Sequence, residues 1–445
     1  MISKILIANR GEIVSRIIKT CKEMNISTVA VYSEADKQAP YLEDADETVL
    51  IGPANPVQSY LNFETIIDAA RQTNAEALHP GYGFLSERGT FAEAVQQAGI
   101  IWMGPSPQVL KAISSKCYCR KLVDEVQVPV IPGTLDLVQN ANDVIDYGNN
   151  HVWPVFIKLD KGGGGKGIER VNGENDADEV FQRAKSIGEM AFGSGDCYIE
   201  EIVENSRHIE IQFLADQHGN CVCLGERECS VQRRHQKIIE EAPSLVVTKN
   251  DRSMLFDRTV KIVQKMGYYG AGTIEFLRSE DGNYYFMEIN ARLQVEHPVT
   301  EYLTGVDIVK WQILIASKKT LDFTQQTVKF DGHAIEARVY AEDPETFIPS
   351  PGTITDLKFP EQDPKIRIDH ALKANAVVPP YYDPMLAKVI AWDIDRKSAS
   401  NRLIKALTEF QIKGVKTTIP VNLKILKSME YQEGNIDTSF IDNSL

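Results

Sequence analysis

The sequence predicts a mixed α/β chain, α+β overall. It should hold an open parallel α/β domain at the N-terminus, a small mobile lid, and a large C-terminal domain of mixed, mainly antiparallel strands. Three observations carry this. Apolar strands alternate with amphipathic helices over the first hundred residues, four glycines separate two short β-favouring runs in 155–171, and period-two alternation sets in after residue 207.

Residues 4–8 (KILIA) read as a buried strand. Residues 12–24 have helical spacing through Ile13, Ile17, Ile18 and Cys21, and 27–32 (STVAVY) form a second strand, completing a βαβ unit. Strands follow at 47–51, 75–79 and 100–103, with helices near 63–72 and 90–98. The turn after the first strand, Asn9-Arg10-Gly11-Glu12, is not G-x-G-x-x-G, which argues against a dinucleotide-binding dehydrogenase. Residues 105–132 read as helix plus connector.

The stretch VFIKLDKGGGGKGIERV (155–171) fits a hairpin with a glycine tip better than a linker, because apolar β-favouring runs flank it. A Walker loop is excluded: Ile168 and Glu169 stand where Lys and Ser/Thr belong, and a strand follows instead of a helix. Exposed N–H groups at such a tip can wrap a polyphosphate, with Lys158, Lys161 and Lys166 supplying positive charge. Strands at 155–159, 168–171 and 198–202 complete this lid. Beyond it, 208–215 (HIEIQFLA) and 221–226 alternate strictly, predicting antiparallel strands with one face on a core. Strands at 272–277 and 284–290 flank a turn at 279–283, and the C-terminal part mixes strands at 352–359 and 386–391 with a helix near 399–410.

At 445 residues, two to three domains are expected. The N-terminus runs straight into a strand without the features of a signal peptide, and no apolar run approaches a membrane span, so a cytoplasmic protein is expected. A net charge of −14 argues against nucleic-acid binding. Seven cysteines, an odd number, suit reduced thiols, and the C-x-C pairs Cys117/Cys119 and Cys221/Cys223 read as core thiols, not a zinc site.

The hairpin GTIEFLRSEDGNYYFMEINARLQVEHPVT carries the most chemistry. Alternation puts Phe286, Glu288 and Asn290 on one face and Tyr285, Met287 and Ile289 on the other, with Glu275 close to opposite Glu288. Two carboxylates and a carboxamide aimed at one spot suit Mg²⁺ or Mn²⁺ shared with substrate phosphates. A solvated polar sheet face is the competing reading. The basic run 233–237 ends in Lys237 and is followed by Glu240-Glu241, which fits a local anion site better than a nucleic-acid patch. On spacing alone, His208 reads as a surface histidine and Arg338 as a salt-bridge partner.

In order, ANRGEI (8–13), HPGYGFLSE (79–87), GGGGKG (162–167), RHIEIQ (207–212), QRRHQK (232–237), EEAP (240–243), MEINARLQVEHPVTE (287–301) and PPYYDPM (379–385) resemble the biotin carboxylase family of the ATP-grasp superfamily, over nearly the whole chain. The resemblance implies an ATP-grasp fold with a pre-ATP-grasp domain (1–114), a connector (115–130), the lid (131–203), the core with metal and bicarbonate sites (204–330) and a C-terminal domain (331–445). It implies that Lys116, Lys158 and the loop Gly162, Gly163, Gly164, Gly165 and Gly167 hold the ATP phosphates. Glu200, Glu201, Ile202 and Val203 would be the adenine hinge, and His208, Gln232 and His235 would line the nucleotide site. Glu275, Glu288 and Asn290 would hold the metal, Glu275 and Glu288 also facing ATP. Lys237, Arg292, Gln294 and Val295 would hold bicarbonate, with Glu296 as base, and Tyr82 and Arg338 would meet biotin.

The implied chemistry is phosphorylation of bicarbonate by ATP to carboxyphosphate, then carboxylation of biotin, with Glu296 as general base and Arg338 stabilising the biotin enolate. The cofactors implied are ATP, Mg²⁺ or Mn²⁺, and biotin on a separate carrier protein. That carrier, carboxyltransferase subunits of acetyl-CoA carboxylase or a related carboxylase, and a second copy in a homodimer are the implied partners; neither nucleic acid nor membrane is. No Met-Lys pair marks a biotinylation site, so the carrier is expected in trans. Two departures stand out: Ser114-Ser115 precede Lys116 where many members have Gly-Asp, and Glu201 replaces a common lysine. Another ATP-grasp ligase, or a catalytically silent nucleotide-binding scaffold, is the competing functional class.

Overall fold

The computed structural model describes residues 2–162, 167–234 and 236–444. Gly163, Gly164, Gly165, Lys166 and His235 therefore lie outside the described residues.

The N-terminal sheet is entirely parallel. Its strands β1 (Lys4–Ile7), β2 (Ser27–Tyr32), β3 (Glu47–Leu50), β4 (Ala77–His79) and β5 (Ile101–Trp102) lie in the order β3-β2-β1-β4-β5. Both faces are covered, as a parallel sheet requires. Ile5, Ile7, Ala30 and Ala77 pack against α1 (Glu12–Glu23), while Leu6, Val29, Val31 and Leu78 pack with α2 (Phe63–Gln72) and α3 (Gly89–Gln97). The carboxyl ends of β1 and β4 are tied together: Asn9 Nδ2 donates to Pro80 O (2.8 Å) and Tyr82 O (2.7 Å). Gly81 sits there at φ +63°, where a Cβ would come within 2.7 Å of the Asn9 amide.

Residues 105–132 form two helices, α4 (Pro107–Ile113) and α5 (Lys116–Glu125). The lid is a three-stranded antiparallel sheet of β6 (Val155–Leu159), β7 (Ile168–Val171) and β8 (Cys197–Glu201), in the order β7-β6-β8. Helices α6 (Ala141–Asn150) and α7 (Glu174–Phe192) give it a core of its own, through Val144, Val155, Ile157, Val171, Val180, Phe181 and Ile199. At Gly167, φ is +81° and a Cβ would strike Leu159, so this glycine shapes the hairpin itself.

The rest of the chain is organised on one eight-stranded sheet. Strands β9 (Arg207–Ala215), β10 (Cys221–Arg233), β11 (Gln236–Ala242), β12 (Gly270–Arg278), β13 (Tyr284–Asn290) and β14 (His333–Tyr340) come first. The C-terminal part supplies β15 (Gly352–Thr353), β16 (Asp356–Lys358), β17 (Ile366–His370), β18 (Val377–Val378), β19 (Met385–Asp393) and β20 (Gln411–Lys413). The order is β13-β12-β9-β10-β11-β14-β19-β17, with two small ladders, β15-β18 and β16-β20, beside it. Helices α8 (Lys249–Met266), α9 (His297–Thr304), α10 (Ile308–Ala316), α11 (Arg396–Glu409), α12 (Ile419–Lys427), α13 (Met429–Glu433) and α14 (Phe440–Ser444) complete the chain. The β11–β14 pairing carries the sheet unbroken across residue 330.

Two expectations are corrected. β9 is buried along its whole length and β10 nearly so, not on one face alone. Ile209, Ile211 and Phe213 enter the apolar core, and the alternate residues His208, Glu210 and Gln212 are buried among other polar groups. In β13, a bulge at Met287 pairs Glu288 with Glu275 but Phe286 with Phe276. Phe286 is therefore a core residue, and Tyr285, opposite Leu277, is the one that shares the Glu288 face. The functional face still collects Glu275, Glu288 and Asn290, because the extra residue of β13 lies before Glu288.

Candidate active site

A cleft of about 1620 Å³ opens between the β1 and β4 loops, the lid and the large sheet. It brings together Tyr82, Lys116, Lys158, Gly162, Glu200, Glu201, Ile202, Val203, His208, Gln232, Lys237, Glu275, Glu288, Asn290, Arg292, Gln294, Val295, Glu296 and Arg338. Gly167 is described but stands outside the lining.

Lys116 heads α5. The hydroxyl of Ser115 caps this helix by accepting from Tyr118 N (3.2 Å) and donates to Asp160 Oδ1 (3.0 Å), which also accepts from Cys117 N (2.8 Å). The Lys116 N–H donates to Asp160 O (3.1 Å). Serine thus anchors this lysine firmly. Its ammonium lies 2.6 Å from Glu288 Oε2, and that carboxylate outweighs burial to raise the lysine pKa. Lys158, on β6, pairs with the buried Glu200, whose other oxygen accepts from Arg120 (2.7 Å). The Glu200 side chain therefore positions a lysine, while the Glu201 side chain accepts from Tyr147 (3.0 Å).

His208 is buried, not a surface residue, and its Nε2 lies 2.9 Å from Glu275 Oε2. Lys237 Nζ reaches Glu210 (2.6 Å), Glu296 (2.7 Å) and Glu275 (3.1 Å) together. Burial opposes ionisation of Glu275, but Lys237 and then His208 lower its pKa. Glu296, at the N-cap of α9, is fully buried; burial works against its charge, yet Lys237, Arg338 and Arg227 hold its carboxyl well below the usual range. Arg338 donates from Nη2 to Glu296 Oε2 (2.8 Å) and from Nε to Glu240 Oε1 (2.6 Å). Arg292 is fanned between Glu87 (3.0 Å), Gln294 Oε1 (2.9 Å) and Asn290 Oδ1 (3.1 Å). Lys388 donates to Val295 O (2.8 Å), fixing that backbone.

Glu275 and Glu288 sit opposite each other in register, with Asn290 Nδ2 3.5 Å from Glu288 Oε1. Their hard oxygen donors fit Mg²⁺ or Mn²⁺. Such an arrangement, with Lys116 and Lys158 lining the same cleft as a buried carboxylate held by Lys237 and Arg338, can bind a nucleotide and deprotonate a small anion beside it.

The sequence matches the family model "Biotin carboxylase, N-terminal domain" over residues 1–110 and "Biotin carboxylase C-terminal domain" over 336–443. Between them, 115–324 match "Carbamoyl-phosphate synthase L chain, ATP binding domain". It is 46% identical over 445 residues to biotin carboxylase 2 of Bacillus subtilis, covering 100% of both chains. The chain belongs to the biotin carboxylase family. A pyruvate carboxylase subunit of Methanothermobacter thermautotrophicus is 45% identical, over 99% of this chain and 90% of that one. Among solved structures, the biotin carboxylase domain dimer of Hydrogenobacter thermophilus 2-oxoglutarate carboxylase, in complex with MgADP, ADP and bicarbonate, superposes with a TM-score of 0.97. The identity is 42%, covering 100% of this chain and 98% of that one.

As a biotin carboxylase, the protein is an ATP-dependent ligase with the ATP-grasp fold. Several of its site residues escaped sequence reasoning. Glu87 holds Arg292 and accepts from Ala291 N (3.1 Å), Glu210 holds Lys237 and pairs with Arg227, and Glu240 holds Arg338. Tyr82 donates to Glu12, which lies 3.2 Å from Lys388, so its hydroxyl is already engaged. The signal for Glu210 was its i, i+2 spacing from His208. Glu240 carried none, since Glu240-Glu241 look like a solvated acidic pair. No helix among the described residues is long and apolar enough to cross a membrane.

Proposed function

We propose that this biotin carboxylase performs the first half-reaction of acetyl-CoA carboxylase or a related carboxylase, transferring bicarbonate carbon to biotin on a separate carrier protein at the expense of ATP. The observation that carries this reading is Glu296, a buried carboxylate with one oxygen on Lys237 and the other on Arg338. This supports reading Glu296 as the base, with Lys237 toward the proposed bicarbonate site and Arg338 toward the proposed biotin site.

Lys116, Lys158 and the glycine hairpin would take the ATP phosphates, with Glu200 to Val203 against the adenine and His208, Gln232 and His235 along the nucleotide. Glu275, Glu288 and Asn290 would hold Mg²⁺, which offsets charge on the transferring phosphoryl group. Lys237, Arg292, Gln294 and Val295 would bind bicarbonate while Glu296 takes its proton, and the product of phosphorylation is carboxyphosphate. Arg338 would then stabilise the enolate oxygen of biotin, with the Tyr82 ring beside it. Closure of the lid keeps the reactive intermediate from water. The five segments 1–114, 115–130, 131–203, 204–330 and 331–445 serve as the working domain division, and a homodimer as the assembly.

The test is ATP cleavage by the purified chain with Mg²⁺. Dependence on bicarbonate and stimulation by free biotin are expected; cleavage that ignores biotin but responds to another carboxylate would favour a different ATP-grasp ligase. Relatives named for pyruvate and 2-oxoglutarate carboxylases make the acceptor the next question. Incubating the enzyme with carrier and carboxyltransferase, labelled bicarbonate and each of acetyl-CoA, pyruvate and 2-oxoglutarate assigns it by which acid gains label.

A further inference from the structure

β11 and β14 run antiparallel, and Glu240 and Glu336 are directly opposed in their register. Directly opposed side chains share a face, with Cβ atoms about 4.5–5.5 Å apart. Both residues are fully buried. Glu240 Oε1 accepts from Arg338, but Glu240 Oε2 has no partner, and neither oxygen of Glu336 has one. Three buried carboxyl oxygens on two facing residues therefore lack a donor.

The neighbouring donors are spent elsewhere. From β19, Lys388 faces Val295 O and Glu12, with Asp369 of β17 3.7 Å away. On β14 itself, Arg338 is committed to Glu240, Glu296 and Tyr340, and His333 to Glu241. On β11, Lys237 faces Glu210, Glu275 and Glu296. From α9, Glu296 is bound as described, His297 is a neutral ring whose Nδ1–H donates to Gln294 O (2.8 Å), leaving a buried Nε2 that carries no proton and no partner, and Glu301 pairs with Arg16 and Arg367. The opposite face of β14, through Ile335, Ala337 and Val339, packs in the apolar cluster with Ala399, Leu403 and Ile425 of α11 and α12. Among the described residues, no cation forms an ion pair with Glu336.

An ionised carboxylate with no donor in such a place is costly, whereas a neutral carboxyl carries one O–H that an opposed carboxylate can accept. We infer that Glu240 and Glu336 share a single proton and act together as positioning residues, holding Arg338 toward the cleft. Burial, reinforced by Glu240 against Lys388, pushes the Glu336 carboxyl well above its ordinary range, and burial lifts Glu240 to about 7 against the pull of Arg338. The shared proton keeps a further full negative charge from Arg338, leaving its positive charge for an oxyanion. This consequence rests on the role proposed above for Arg338; the shared proton does not.

The experiment uses the full chain and two variants. Glu336→Gln keeps the shape and offers a permanent N–H donor; Glu336→Leu offers none. Infrared spectra at pH 7 should show a carboxylic-acid carbonyl band in the wild type that vanishes in E336Q. In E336L, carboxybiotin formation per ATP cleaved should fall about tenfold or more, and E336Q should restore it. Carboxybiotin formation by the wild type should decline on the alkaline side as the pair loses its proton, a limb that E336Q should lack. No band, or one that survives in E336Q, overturns the shared proton even if E336L does not fold. A band that vanishes as expected, with normal coupling in E336L or an alkaline limb kept in E336Q, overturns the positioning role alone. Loss of all bicarbonate-dependent ATP cleavage in the wild type would strike the functional reading and leave the infrared result standing.

Discussion

Replacing Glu296 with glutamine keeps the shape of a fully buried side chain and deletes its charge. General bases contribute about 10²–10⁴-fold, and a base works best with a pKa near the working pH. Burial disfavours the Glu296 carboxylate, yet Lys237, Arg338 and Arg227 drive its pKa well below the ordinary carboxylate range. It is a weak base in the free enzyme, which places the expected loss in bicarbonate-dependent ATP cleavage at the lower end, about 10²-fold or 2.7 kcal/mol of barrier. The fold should suffer less than an orphaned buried charge implies, about 3–5 kcal/mol. Lys237 retains Glu210 and Glu275, and Arg338 retains Glu240, so a cost of about 2 kcal/mol for weakened charged hydrogen bonds is expected. A depressed folded pKa adds stability above the unfolded value of about 4.5 and loses it as pH falls. The variant should therefore lose part of the acid-side slope of stability. Steady-state ATP cleavage with and without bicarbonate, and urea unfolding at about pH 7 and at a pH below about 4.5, measure both effects. Turnover within threefold of wild type would refute the assignment of Glu296 as base.

Glu288→Gln should remove most ATP turnover by weakening the oxygen ligand set, and a Mg²⁺ titration followed beside the melting temperature separates this from misfolding. Arg338→Ala should spare much of the bicarbonate-dependent ATP cleavage but uncouple it from carboxybiotin, which the ratio of phosphate released to carboxybiotin formed will report. Ser115→Ala deletes a helix cap and the Asp160 bond, so about 1 kcal/mol of stability should be lost, and calorimetry together with the KM for ATP checks both. Burial opposes the Glu241 carboxylate, but His333 and Arg396 lower its pKa to about 2 from 4.5. Its contribution of about 3 kcal/mol is full above pH 4.5 and disappears as pH falls toward 2. Glu241→Gln should flatten the acid denaturation profile over that window, monitored by circular dichroism.

The parallel N-terminal sheet and the lid hairpin were legible because apolar periodicity and glycine placement are local signals. The Glu275–Glu288 pairing was legible for the same reason: a short turn fixes the register. The bulge at Met287 was not, since no glycine marks it, and it reversed the assignment of Phe286. β11 and β14 were missed because KIIEEA and HAIEARVY carry charges that suggest a half-solvated surface. Those charges are buried against partners distant in sequence, such as Arg338 with Glu240 and Arg396 with Glu241, and pattern cannot report such pairings. Lys116, His208 and Lys237 were assigned through motif resemblance; the carboxylates that orient Arg292 and Arg338 lay within the same motifs without a distinguishing pattern.

The placement of β14 beside β11 has a consequence during synthesis. The two strands are roughly 90 residues apart in the chain, so at about 5–20 residues per second a ribosome delivers the second some 5–20 s after the first. Until then, the half-built sheet ends in an unpaired edge bearing Ile239, Glu240 and Glu241, and Lys237 and Glu296 are made before Arg338 exists. Nascent chains halted between these strands should bind chaperones and stick to one another, whereas a halt after β14 should relieve both. The charged residues on that waiting edge discourage edge-to-edge association as well as serving the finished site.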